Sequence, residues 1–312
     1  MQRLKIRALL ILCFTWMCQN NLSAQQDPLL TQYMFNTLAL NPAYAGTNGV
    51  LSAMVASRHQ WMGFEDAPTT QTFTIHTPFA KKNFGTGLTV IHDQIGPVTN
   101  TSAWFDYAYH LRFNGKAKLA LGLKGGFSYF QKDLSQYMNE VGADDQAYAE
   151  TTEPQLLPNF GFGAYLWSDR YYVGLSTPRL IENELDDSDP SSTFISKENR
   201  LYLLMAGYVF PLGAELKLKP SFIVRATESA PVSFDINLNL LIREKLWIGG
   251  FFRPDESIGG IVKYQITNQL SAGYAYETGL KDLVSQFGDT HEVMLSFEFN
   301  FRKEKILNPR YF

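Results

Sequence analysis

The feature that most constrains this chain is an alternation of period two that recurs from residue 50 to residue 302. Between 232 and 243, Val232, Phe234, Ile236, Leu238, Leu240 and Ile242 alternate with Ser233, Asp235, Asn237, Asn239, Leu241 and Arg243. In an extended strand that places one uniformly apolar face opposite a mostly polar one. Residues 293–302 repeat the pattern with Val293, Leu295, Phe297, Phe299 and Phe301, and residues 103–113 with Ala103, Phe105, Tyr107, Tyr109, Leu111 and Phe113. About fourteen such segments lie near residues 50–58, 71–77, 84–93, 101–113, 118–130, 159–167, 171–177, 200–210, 216–226, 232–243, 246–253, 257–266, 270–277 and 291–302. The pattern is faintest in the first two and at 200–210, where Leu203, Met205 and Val209 fall on the polar face.

The connections alternate as well. Short turns are expected at 78–83, 114–117, 168–170, 211–215, 244–245 and 267–269, with longer or Pro-containing loops between them at 59–70, 94–100, 131–158, 178–199, 227–231, 254–256 and 278–290. Antiparallel strands with tight turns at one end and long loops at the other are the plan of an outer-membrane barrel. A soluble β-sandwich shares the alternation but buries its apolar faces against each other. Here the presumed inner face carries Asp106, His110, Arg112, Lys124, Lys217, Lys219, Arg225, Asp235, Lys263, Glu277, Glu298 and Arg302, which suits a wet or plugged lumen. Trp61, Tyr129, Trp167, Tyr171, Tyr202, Trp247 and Tyr276 fall near strand ends, where interfacial girdles are expected. The fold class read from the sequence is therefore all-β: a transmembrane barrel of about fourteen antiparallel strands with a short N-terminal helical periplasmic segment.

Arg3, Lys5 and Arg7 precede an apolar run from Ala8 to Cys18, followed by Leu22-Ser23-Ala24, the arrangement of a secretory signal cleaved after Ala24. The expected organisation is a signal peptide at 1–24, a periplasmic or plug segment at 25–48, the barrel at 49–302 and a periplasmic tail at 303–312. Cys13 and Cys18, the two cysteines of the chain, both precede the cleavage site, so no disulfide framework is expected. Without the three basic signal residues the net charge falls from -3 to -6. The acids concentrate in two loops: Asp133, Glu140, Asp144, Asp145, Glu150 and Glu153, then Glu182, Glu184, Asp186, Asp187, Asp189 and Glu198. They read as solvated surface loops; Asp186-Asp187-Ser188-Asp189 lacks the full pattern of a calcium loop.

Nothing points to chemistry. His59, His76, His92, His110 and His291 share no ligand spacing, so no metal or other cofactor is expected. Asp93 beside His92 would point to the opposite face of a strand. Gly85, Gly87, Gly122, Gly125, Gly126, Gly161 and Gly163 lie in strands, where close backbone approach explains them, rather than in a phosphate-binding loop. No nucleic-acid partner is expected.

The mature N-terminal stretch 25–46 has no strand character. Asp27 suits an N-cap and Pro28 the first helical turn, Leu29, Leu30, Tyr33, Met34 and Leu38 form one apolar face, and Asn41-Pro42 ends the run. The spacing predicts a helix over 28–40 that packs in or under the periplasmic mouth.

This stretch also carries a resemblance. Gln32-Tyr33-Met34-Phe35-Asn36 followed by Asn41-Pro42-Ala43-Tyr44-Ala45-Gly46 is similar to the start of the PorP/SprF family of type IX secretion system outer-membrane proteins. Arg58, Gln60, Trp61, Gly63 and Phe64, with Ala67-Pro68-Thr69-Thr70-Gln71, resemble a further family element, as does Gly85 to Gly96. The ending Pro309-Arg310-Tyr311-Phe312 resembles the family's C-terminus, and a terminal Phe suits the barrel assembly machinery.

The resemblance implies a non-enzymatic role in exporting or anchoring client proteins that carry a C-terminal secretion domain, of gliding-adhesin type. It implies outer-membrane lipids, the client, and the periplasmic ring and translocon of the system as partners. Arg58, Gln60, Trp61, Gly63 and Phe64 are the candidate loop and rim contacts. The expected location is the bacterial outer membrane, with both termini periplasmic and the long loops extracellular. A general porin or a hydrophobic-solute channel is the alternative.

Overall fold

A computed structural model describes residues 30–79, 82–113, 117–133, 153–185, 197–228, 230–281 and 288–299. Its strands are β1 (Leu51–His59), β2 (Thr69–Phe79), β3 (Phe84–Ile95), β4 (Val98–Arg112), β5 (Lys118–Lys132), β6 (Gln155–Trp167), β7 (Tyr171–Thr177), β8 (Leu201–Tyr208), β9 (Leu216–Thr227), β10 (Ser233–Ile242), β11 (Leu246–Arg253), β12 (Ser257–Gln265), β13 (Leu270–Gly279) and β14 (Thr290–Phe299). A two-residue piece, Phe210–Pro211, continues β8 past Val209 and pairs with the same neighbour, β9. Each strand is antiparallel to the next, and β14 pairs with β1 from Leu51↔Phe299 to His59↔His291. The sheet is thus a closed fourteen-stranded barrel with no free edge.

The alternation decides which side chains face out. On β10, Phe234, Ile236 and Leu238 are exposed while Asp235, Asn237 and Asn239 are buried. On β4, Phe105, Tyr107 and Tyr109 are exposed while Trp104, Asp106 and Ala108 are buried. The large apolar side chains form the lipid-facing band and the polar parity turns inward. Within the described residues, the charged inner face includes Asp106, Lys124, Lys219, Arg225, Asp235 and Glu277, all buried. The side chain of Arg112, and Arg302, lie outside the described residues.

Two ends result. The first, which includes the start of β1 and the end of β14, carries the tight turns; the second carries the connections 60–68, 133–154, 178–200 and 280–289. The length contrast is less regular than the sequence suggests. The expected loop at 94–100 contracts to a hairpin with Ile95 opposite Val98 and only Gly96-Pro97 between them. Gly96 supplies the positive φ, +53°, that this turn needs.

The lumen is a packed core formed around the chain's own N-terminal segment. Tyr33, Met34, Leu38, Ala43, Tyr44 and Ala45 cluster with Tyr165, Tyr172, Leu203, Met205, Ile223, Phe251 and Ile261 from the wall. Each large apolar group buried this way contributes about 1.5–3 kcal/mol. This explains the faint alternation at 200–210: Leu203 and Met205 take the inward parity because the segment, not water, is their neighbour.

Two expectations need correction. Residues 31–35 form turns, and the α-helix is one turn, α1 (Thr37–Leu40), followed by a 3-10 turn at Pro42–Tyr44. A longer helix would occupy backbone groups that the wall uses instead. The caps expected from Asp27 and Pro28 lie outside the described residues. Trp247 and Trp167 are not girdle residues: Trp247 is buried with its ring centre 5.9 Å from that of Phe35 in an edge-on arrangement, and Trp167 packs on Tyr165 and His110. Both have inward parity, so Trp247 meets the segment and Trp167 the luminal side chains of the wall rather than lipid.

Candidate functional site

The segment coils through the lumen from the long-loop half to the short-turn end, held in two different ways. At residues 30–32 the grip is polar. Glu292, two residues into β14 from the long-loop end, accepts from the backbone N–H of Thr31 (2.8 Å) and of Gln32 (3.0 Å). The Gln32 side-chain amide donates to the Glu292 carbonyl at 3.2 Å. Thr31 Oγ1 donates to Glu277 at 2.8 Å and receives a short hydrogen bond from Arg58.

Behind these contacts runs a buried ionic belt. Arg58 pairs with Glu277 at 3.0 Å and Glu292 at 3.6 Å. Arg253 donates to Glu277 at 3.2 Å and to both oxygens of Asp235 at 2.8 and 3.0 Å. Arg225 adds a bidentate pair to Asp235 at 2.9 and 2.8 Å. The planar forks of Arg225 and Arg253 match carboxylate geometry, whereas Arg58 engages its partners through Nη1 alone, leaving its Nε and Nη2 buried without a hydrogen bond. Glu256, in the turn after β11, lies 3.4 Å from Arg253; burial pushes its carboxyl above the ordinary value, against the pull of that guanidinium.

At residues 41–46 the grip is steric. The Asn41 side chain donates to the carbonyls of Ala164 (3.1 Å) and Leu175 (3.2 Å) and accepts from Ala43 N–H at 3.0 Å. A Cβ on Gly122 would lie 2.2 Å from Ala43 N, and one on Gly85 2.4 Å from Ala45 O. Strand and segment backbones therefore touch with no side chain between them. Gly46 (φ +77°) donates to His76 Nδ1 at 3.0 Å, and the Ala45 carbonyl lies 2.9 Å from His110 Nε2. Between the two grips Lys124 donates to the Ala39 carbonyl at 3.1 Å and sits 3.7 Å from Asp106.

The remaining motif residues follow the same division. Tyr33 OH accepts from Asn237 at 2.7 Å, and Met34 is buried. Phe35 has Lys263 Nζ 4.5 Å from its ring centre, and Asn36 accepts from Thr74 at 3.2 Å. Pro42 opens the 3-10 turn, and the Tyr44 ring meets Tyr165 edge-on at 5.4 Å. Beside Leu30, a cavity of ≈ 110 Å³ is lined in part by Thr70, Asp93, Asn100, Trp104 and Arg179.

The proposed rim residues separate. Arg58, one residue from the long-loop end of β1, points into the lumen and is buried in the belt. Loop 60–68 is tied down by Gln60 N–H to the Pro68 carbonyl and Met62 N–H to the Asp289 carbonyl, both 2.9 Å. Trp61 takes a left-handed φ of 53°. This loop exposes Met62, Gly63 and Phe64 at the long-loop end. Pro309, Arg310, Tyr311 and Phe312 lie outside the described residues, as do Glu140, Asp144, Asp145, Glu150, Asp186, Asp187 and Asp189.

The family model for "Type IX secretion system membrane protein PorP/SprF" matches residues 22–297, covering both the segment and the barrel around it. The chain belongs to the PorP/SprF family. PorP/SprF proteins are secretion-system membrane components rather than enzymes. No curated protein matches the chain. Solved structures similar in fold include the Acinetobacter baumannii outer membrane protein Omp33, at 10% identity and TM-score 0.47, covering 80% of this chain and 98% of that one. The Ralstonia pickettii toluene transporter TbuX, at 10% identity and TM-score 0.48, covers 86% and 93%. The CymD monoaromatic hydrocarbon channel, at the same identity and TM-score, covers 91% and 96%. At these values the likeness carries no argument about function.

Sequence reasoning missed Glu292 and Arg253, central members of the belt in this PorP/SprF barrel. The signal was present. Glu292 shares the inward parity of Met294, and Arg253 that of Trp247 and Phe251.

Proposed function

We propose that the protein is a non-enzymatic outer-membrane component of the type IX secretion system that assists export or surface anchoring of client proteins bearing a C-terminal secretion domain, of gliding-adhesin type. The observation that carries this reading is a lumen filled by residues 30–46 in a chain of this family. A barrel closed by its own chain has its two rims left for work, which suits docking rather than conduction. The short turns and the end of β14 face the periplasm, toward the ring and translocon, and the long loops face outward. At the long-loop rim, Met62 and Phe64 are the apolar contacts offered to a client, on a loop held in place by its own hydrogen bonds. Assembly passes through the barrel assembly machinery.

The test has two arms. Purified protein in planar bilayers is expected to give little steady conductance, and affinity purification in mild detergent to recover a client or ring component. Stable single-channel conductance with no such copurification overturns the reading in favour of a porin or hydrophobic-solute channel.

A further inference from the structure

The course of the N-terminal segment bears on where the chain begins. Leu30, the first described residue, sits in the long-loop half of the lumen, beside Thr70, Asp93 and Asn100. Thr31 and Gln32 are fixed to Glu292, two residues from the long-loop end of β14, and Thr31 also to Glu277, two residues from the same end of β13. Two strand residues span about 7 Å. The opposite exit is much farther: from Glu292 to Phe299, the short-turn end of β14, is about 23 Å of strand. Residues 33–46 and the side chains packed around them fill that path. The cleavage expected after Ala24 leaves only Gln25 to Leu29 ahead of Leu30, five residues whose reach is about 17 Å when fully extended.

We propose that the amino terminus of the mature chain is presented at the long-loop mouth, across the membrane from the short turns and the end of β14. This departs from the expectation of two periplasmic termini. It rests on the path of the segment and not on the client reading, so the two stand or fall separately.

The mature chain contains no cysteine, which permits a clean test. Single cysteines are placed at Gln26→Cys, at Glu65→Cys in the exposed loop after β1, and at Asn268→Cys in the exposed turn before β13. Intact cells are treated with a membrane-impermeant maleimide, and labelling is scored on the folded, heat-modifiable band only. The expected result is that Gln26→Cys labels to the same extent as Glu65→Cys, while Asn268→Cys labels only after the outer membrane is permeabilised. Labelling of Gln26→Cys together with Asn268→Cys, or only after unfolding, overturns the proposal. An epitope inserted after Ala24, read by antibody on intact and permeabilised cells, gives the same decision if the cysteine variant does not accumulate. Because sidedness is judged against two internal references, the result does not depend on which face is assumed to be outside.

Discussion

The two ends of the luminal segment are bound by different physics. Residues 30–32 are held by charge: two backbone donors on Glu292, a hydroxyl between Arg58 and Glu277, and a belt of guanidinium–carboxylate forks behind them. Residues 41–46 are held by fit, with backbone against backbone at Gly85 and Gly122 and the Asn41 amide bound to wall carbonyls. A steric grip has no graded response, because a closely packed contact is either made or lost. An ionic grip can exchange partners, since another carboxylate or amide can replace the ones present. The end at residues 41–46 is thus the anchor, and the end at residues 30–32 the grip whose partners can be exchanged.

The largest expected effect breaks the anchor. Gly122→Val places side-chain atoms where the Ala43 backbone lies, with only main chain to give way, and is expected to cost more than about 3 kcal/mol. Folded, heat-modifiable protein should fall to a small fraction of wild type; normal accumulation would mean the lower contact is not a fit at all.

Next is Glu292→Ala, which strips two backbone donors and Arg58 of their shared acceptor. Removing one member of a buried pair costs about 3–5 kcal/mol. Amide hydrogen exchange in detergent should accelerate by about 10²-fold or more at Thr31 and Gln32 and stay unchanged at Ala43 and Ala45. Equal acceleration at all four would make the segment one unit and remove the contrast.

Lys124→Met tests the middle of the segment. It removes a charged hydrogen bond to the Ala39 carbonyl and the partner of Asp106, worth about 1.5–3 kcal/mol. The expected reading is a lower unfolding temperature with both grips still protected from exchange. The smallest effect on stability is expected from Met62→Ser combined with Phe64→Ser, within about 0.5 kcal/mol of wild type. Client retention at the cell surface should nevertheless fall, and unchanged retention would remove the rim from the docking surface.

How much of this was legible in the sequence depends on what each residue packs against. Strands were legible because lipid and lumen impose opposite demands on alternate residues, as along Phe234 to Leu241. The hairpin at Gly96-Pro97 was not, since Asp93, Gln94, Thr99 and Asn100 are polar on both faces and leave only Ile95 and Val98 beside the Gly-Pro pair to mark the strand ends. The segment was the least legible part. Thr31, Gln32, Asn36 and Asn41 look like the solvent face of an amphipathic helix, yet all are buried, because the wall around them is polar too. Its backbone donors go to Glu292, some 260 residues away in sequence, and no local rule for helix formation can register such a partner.

That distance has a consequence for how the protein comes into being. The bonds that seat Thr31 and Gln32 and the ladder that joins β1 to β14 both require the last strand of the barrel. Contacts of such long sequence separation form late. The grip on residues 30–32 and the closing ladder thus share one requirement, the arrival of β14, while the grip on residues 41–46 at Gly85, Gly122, Ala164 and Leu175 does not need that strand. Because the grip on residues 41–46 is available before the wall is sealed, an empty, sealed barrel is not a stage the chain must pass through.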